Sequence, residues 1–100
     1  MSPAIASVHV VQQRESTTFL LRVSGVDEPV TIEVSTPAGG ELALRNSPWT
    51  CTRLAPATLR CAGEDGQAMI RQSGLDGPAP IRVVITDSTG ATRTQVFLLD

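Results

Sequence analysis

The sequence contains no lysine: all eight basic residues are arginines, placed singly along the chain. A Lys–Asn isopeptide cross-link of the kind found in some bacterial surface domains is therefore excluded. The scatter of the arginines and a formal charge of −2 also argue against a nucleic-acid partner, which calls for a clustered basic surface. Aromatic residues are nearly absent, with one Trp and two Phe, so the core has to come from Val, Ile, Leu and Ala. An accessory carbohydrate-binding domain, which relies on a row of exposed rings, has little material here. No apolar run approaches the ~18 residues of a membrane span, so direct membrane insertion is not expected. Met1-Ser2-Pro3 lacks the charged and then apolar start of a secretory signal. If the protein is exported, residues 1–100 read as one domain excised from a larger chain whose signal or anchor lies elsewhere.

What is present is an alternation of period two, the mark of β-strands half-buried against a core. Apolar residues recur at Ala6, Val8 and Val10, at Phe19, Leu21 and Val23, and at Val30, Ile32 and Val34. They recur again at Leu42 and Leu44, at Ile81, Val83 and Ile85, and at Val96 and Leu98. Eight or nine strands are predicted, over 4–12, 17–24, 30–35, 41–45, 49–54, 58–62, 67–72, 81–87 and 92–99. Turn signals fall between them. Pro37-Ala38-Gly39-Gly40 breaks one pair, and Gly63-Glu64-Asp65-Gly66 and Asp87-Ser88-Thr89-Gly90 read as hairpin turns with glycine at positive φ. That spacing predicts an all-β fold, an immunoglobulin-like sandwich of two antiparallel sheets. The expected core is Phe19, Leu21, Val23, Ile32, Val34, Leu42, Ile70, Ile81, Val83, Ile85, Val96 and Leu98. The first or last strand is expected at a sheet edge, where a partner strand can pair with it.

The chain also echoes itself. Residues 22–34 and 71–83 share seven of 13 positions at a constant offset of 49. Each copy reads strand, Ser-Gly-x-Asp-x-Pro corner, strand. This is either a duplicated binding corner or a pair of crossovers related by the symmetry of a sandwich. The glycine supplies an unusual φ, the aspartate caps its turn, and the proline opens the next strand.

Both cysteines and the tryptophan fall between Trp49 and Cys61. Two short strands about Ala55-Pro56-Ala57 would set Cys51 opposite Cys61, each five residues from Pro56, within reach of a disulfide. Two free buried thiols in a cytoplasmic protein, or half of a metal site, remain the alternatives. A zinc site needs about four ligands and only His9 is left to help. That lone histidine, on the outward parity of the first strand, has no nucleophile and acid to make a catalytic set. Met69 with His9 and the cysteines lacks the close spacing of a copper site. Asp27-Glu28 and Glu64-Asp65 lack the spacing of a calcium loop. No cofactor, metal or catalytic residue is assigned. Trp49 is a core residue or a partner anchor, and Val11 and Val84, on outward parities, mark surface that a partner protein would cover.

Thr36-Pro37-Ala38-Gly39-Gly40-Glu41-Leu42, Trp49-Thr50-Cys51, Leu59-Arg60-Cys61 and a glycine-containing corner before Ile81-Arg82-Val83 resemble a known pattern. It is that of the conserved-repeat immunoglobulin-like domains of bacterial surface and cell-wall proteins. The resemblance spans residues 20–99, with Thr36 in place of the usual Leu and Leu59-Arg60 in place of Val-Thr. It implies a non-enzymatic structural or protein-interaction module in a secreted or envelope-anchored protein. A rival of a different class is an extracytoplasmic sensory domain of an anti-sigma factor or receptor kinase.

Overall fold

The computed structural model describes residues 4–13, 16–26, 28–75 and 79–97, with side chains from residue 18 onward. Among the described residues nine strands form: β1 (Ala4–Gln13), β2 (Ser16–Ser24), β3 (Val30–Ser35), β4 (Glu41–Arg45), β5 (Thr50–Ala55), β6 (Thr58–Gly63), β7 (Gly66–Ser73), β8 (Ile81–Thr86) and β9 (Thr92–Phe97). All pair antiparallel, in a four-stranded sheet of order β1-β2-β7-β4 and a five-stranded sheet of order β5-β6-β3-β8-β9. No helix occurs among the described residues.

The alternation does what its period requires. Phe19, Leu21, Val23, Leu42, Ala68 and Ile70 face inward from one sheet, and Val30, Ile32, Val34, Leu59, Cys61, Ile81, Val83 and Ile85 from the other. These branched aliphatic chains fill a sandwich interior, where two sheets pack about 10 Å apart. The strand places match those of a nine-stranded immunoglobulin variable domain, A-B-E-D against G-F-C-C′-C″. The threading differs. After β3 the chain goes first to the D place (β4), then to C″ (β5) and back through C′ (β6).

The internal echo is a symmetry of the sandwich. An offset of 49 carries Leu20 to Met69, and those two residues are cross-strand partners in the four-stranded sheet. The same offset carries Val34 to Val83, which are partners in the five-stranded sheet. Both copies are crossovers from one sheet to the other, with Gly25 at φ 78° and Gly74 at φ 79°. Asp27 and Asp76, expected to cap these corners, lie outside the described residues. The copies diverge at one telling position: Val23 in the first is Gln72 in the second. The buried Gln72 side chain donates to Thr36 Oγ1 (3.2 Å) and Ala79 O (3.3 Å) and accepts from Ala79 N (3.0 Å). It pins the second crossover to the first residue after β3.

Two expectations fail. Val96 is 52% exposed and not core, because the loop after β8 pairs Ile81 with Phe97 and Val83 with Gln95. Opposite partners share a face, so Phe97 turns inward and Val96 outward; a shift of one residue inverts a strand. Leu98 lies outside the described residues, as do the side chains of Ala6, Val8, His9, Val10 and Val11. Gly63-Glu64-Asp65-Gly66 is not a hairpin turn. It leads from β6 in one sheet to β7 in the other, and neither glycine has positive φ. The Asp87 turn is as read. Gly90 has φ 88°, and Asp87 Oδ1 accepts from Thr89 Oγ1, Thr89 N and Ala91 N. The Thr89 hydroxyl bond, then the two amides, hold the Asp87 carboxyl below its ordinary value.

The β9 register yields a direct expectation. Val96→Thr should change stability by less than about 0.5 kcal/mol, whereas Ile85→Ala should cost about 2–5 kcal/mol. Urea denaturation of both variants checks it, and comparable losses would mean that β9 is out of register.

Candidate functional site

The distinctive site is the β5–β6 hairpin. Pro56 and Ala57 form its turn, and Cys51 stands directly opposite Cys61. The two are bonded, with Sγ–Sγ 2.07 Å and Cα–Cα 4.0 Å. The free-thiol and metal-ligand alternatives for these cysteines therefore fall away. In immunoglobulin domains the conserved disulfide ties one sheet to the other. Here it ties the edge strand β5 to its neighbour β6 within one sheet. Cys61 is buried in the core and Cys51 is half-buried at the sheet edge.

The turn of this hairpin reaches across to the four-stranded sheet. Leu42 N, in β4, donates to Pro56 O (2.9 Å), while Thr36 N, just past β3, donates to Ala57 O (3.0 Å) and extends the β3–β6 pairing. Arg53, on the same strand face as Cys51, donates to Pro56 O (2.8 Å) and Leu42 O (2.6 Å). The outer edge of β4 is thereby occupied by the hairpin that covers it, one way of protecting a strand edge from foreign pairing. Thr36–Leu42, Trp-x-Cys and the second cysteine strand, which are separate in sequence, are one assembly in space.

The outer edge of β5 is open. A close antiparallel pair such as Cys51–Cys61 is the non-hydrogen-bonded kind, so the N–H and C=O of Cys51 point away from β6. Those of Arg53 do the same by parity. None of these groups has a backbone partner among the described residues. Leu54, the extra residue where the register slips between Arg53 and Ala55, is 48% exposed beside them.

Trp49 is buried, at 6% exposure. Its backbone N–H donates to Ser47 Oγ (3.0 Å) and its indole N–H to Glu64 O (2.8 Å). The indole lies on Gly63, where an added Cβ would come within 2.3 Å of Trp49 Cδ1, and Pro48 lies on Gly66 in the same way at 2.7 Å. These glycines are explained by close approach, a signal present in sequence only as two glycines near a tryptophan. An open hollow of about 450 Å³ beside the ring is lined by Pro29, Pro48, Glu64 and Asp65, among others.

The remaining candidates stay apart. Val84 is half-buried on the outer face of the five-stranded sheet, between Glu33 and Thr94. Val11 sits in β1, at the edge of the other sheet, paired with Thr18. Phe19 and Trp49 are buried and Phe97 is half-buried, so the aromatics form no exposed row. Among the described residues no three His, Cys, Asp or Glu side chains converge as a metal site would require.

Gly63→Ala should destabilise the domain by about 1–3 kcal/mol through overpacking against the indole. In a Trp49→Leu background the same change should cost clearly less. A double-mutant cycle by thermal melting measures the coupling, and strictly additive losses would remove the indole from the explanation.

Compared with known proteins, the chain matches no model of a protein family, no curated protein and no solved structure.

Proposed function

We propose that this chain is a non-enzymatic structural or protein-interaction module of a secreted or envelope-anchored bacterial protein. The observation that carries the reading is the Cys51–Cys61 bond across the edge hairpin. A stabilising disulfide persists in oxidising compartments and is rare in reducing ones. The resemblance to conserved-repeat surface domains adds support, because its motif pieces meet around this one hairpin through Thr36, Leu42, Pro56 and Ala57.

The work of such a module is mechanical and associative. Nine antiparallel strands around one core make a stiff spacer. The open backbone of β5 offers a place where a strand of a neighbouring domain or partner protein can add to the sheet. The bond keeps that edge in one register, so an incoming strand always meets the same face.

The loop closed by the bond is short, so its loss should cost roughly 2–3 kcal/mol by the chain-entropy estimate. Domains of this size hold only about 5–15 kcal/mol in all, which makes that loss visible. Intact mass after alkylation of protein recovered from an oxidising compartment should show no modified thiol, and reduction should lower the midpoint of unfolding. Two freely alkylated thiols in the native oxidised protein would overturn the extracytoplasmic reading.

A further inference from the structure

We propose that the outer face of the four-stranded sheet is a docking surface for an acidic segment of a partner protein. The inference rests on the reading of the chain as an interaction module and names the surface and the chemistry of its partner. The chain as a whole is acidic, yet this face is not. Its outward positions on β2, β7 and β4 carry Arg22, Arg71 and Arg45, against one carboxylate, Glu41. On the opposite face of the sandwich the Arg60 guanidinium is already engaged by Glu33 at 3.1 Å. Arg45 and Arg71 have neither a hydrogen bond nor an ion pair among the described residues. Among the described residues Arg22 reaches only the neutral Gln67 side chain (3.1 Å).

The centre of this face is apolar. Leu20 and Met69 are cross-strand partners on the symmetry position described above, and both remain half-buried with their outward sides open. Arg22 and Arg71 stand two residues along their strands from that pair and are equivalent under the offset of 49, so they flank it from opposite ends. A cavity of about 200 Å³ opens beside it, lined by Thr18, Arg45, Asn46, Met69 and Arg71. A carboxylate entering it meets two guanidinium groups and a hydroxyl, the charge-assisted and often bidentate arrangement that arginine favours. Val11, flagged in the sequence as covered surface, pairs with Thr18 along the same row of the sheet.

An apolar centre with methionine and a rim of arginine is the composition of a protein interface. A polyanion without apolar groups uses only the rim. The occupant is therefore a peptide segment that places carboxylates around an apolar side chain.

The test is titration of the oxidised, disulfide-intact chain with a synthetic peptide of alternating glutamate and leucine, followed by backbone amide shifts. The variants are Arg45→Ala with Arg71→Ala, and, as a control, Arg60→Ala with Arg82→Ala. Saturable shifts at Thr18, Leu20, Met69 and Arg71 are expected, weakened at least about tenfold in the first variant, little changed in the control, and weaker at high salt. No saturable shift, or equal binding by the first variant, overturns the proposal. Equal or tighter binding of polygalacturonate at the same residues also overturns it, in favour of a polysaccharide. The thiol state of the same sample is recorded independently, so failure of the docking surface is not confused with failure of the extracytoplasmic reading.

Discussion

Cys51 and Cys61 occupy one cross-strand position, and much of the architecture depends on that register. Once the pair is set, Pro56 and Ala57 must form the turn. The Ala57 carbonyl then takes the Thr36 amide, extending the β3–β6 pairing, and the Pro56 carbonyl takes the amide of Leu42 in the four-stranded sheet. Arg53 comes to the inward side of its strand and bridges to Leu42 O. Moving β5 by one residue would turn Cys51 and Arg53 outward together. The staple at the edge of one sheet thus positions the device that closes the edge of the other. Trp49 completes the arrangement from the opposite end of β5, with Gly63 and Gly66 making room for it and for Pro48.

The second organising feature is the symmetry between β2–β3 and β7–β8. One sequence offset relates a cross-strand pair in each sheet, Leu20 with Met69 just before the aligned residues and Val34 with Val83 at their end. The two crossovers use the same backbone solution, a left-handed glycine after serine, because a chain leaving one sheet for the other needs a sharp bend where a Cβ is costly. The symmetry is broken where Gln72 replaces Val23, and the break is structural. A buried amide needs partners, and it finds them in Thr36 and Ala79. The same symmetry places Leu20 and Met69 at the middle of the outer face, with Arg22 and Arg71 on either side.

Much of this was legible in the residues. Alternation identified the strands, and all but one of the residues it assigned to the core are buried where their side chains are described, because burying one face of a strand leaves no freedom in parity; Val30, Leu59, Cys61 and Ala68 join them. The hairpin about Pro56 was legible because both cysteines stand equally far from it. What escaped has a common cause, since it depends on where strands go after a loop. Val96 was assigned inward because its hydropathy was read without the loop that sets its register against β8. Gly63 and Gly66 resembled turn glycines, because a glycine spared for a neighbouring indole and one bent into positive φ look alike in sequence. Gln72 gave no sign of its role, and the visit to β4 before β5 and β6 has no local signature. The open edge of β5, and Arg45 and Arg71 without an ion pair among the described residues, emerged only with the strand order.

The account stands most directly on the claim that the staple positions an assembly joining the two sheets. Amide hydrogen exchange on the oxidised and the reduced chain measures this residue by residue. Reduction should speed exchange at Thr50 and Thr52, at Thr36 beside the turn and, across the sandwich, at Leu42, while amides of the central β2–β7 and β3–β8 pairs keep their protection. Exchange at Thr36 and Leu42 that ignores the state of the bond, or protection lost evenly over all nine strands, would contradict it.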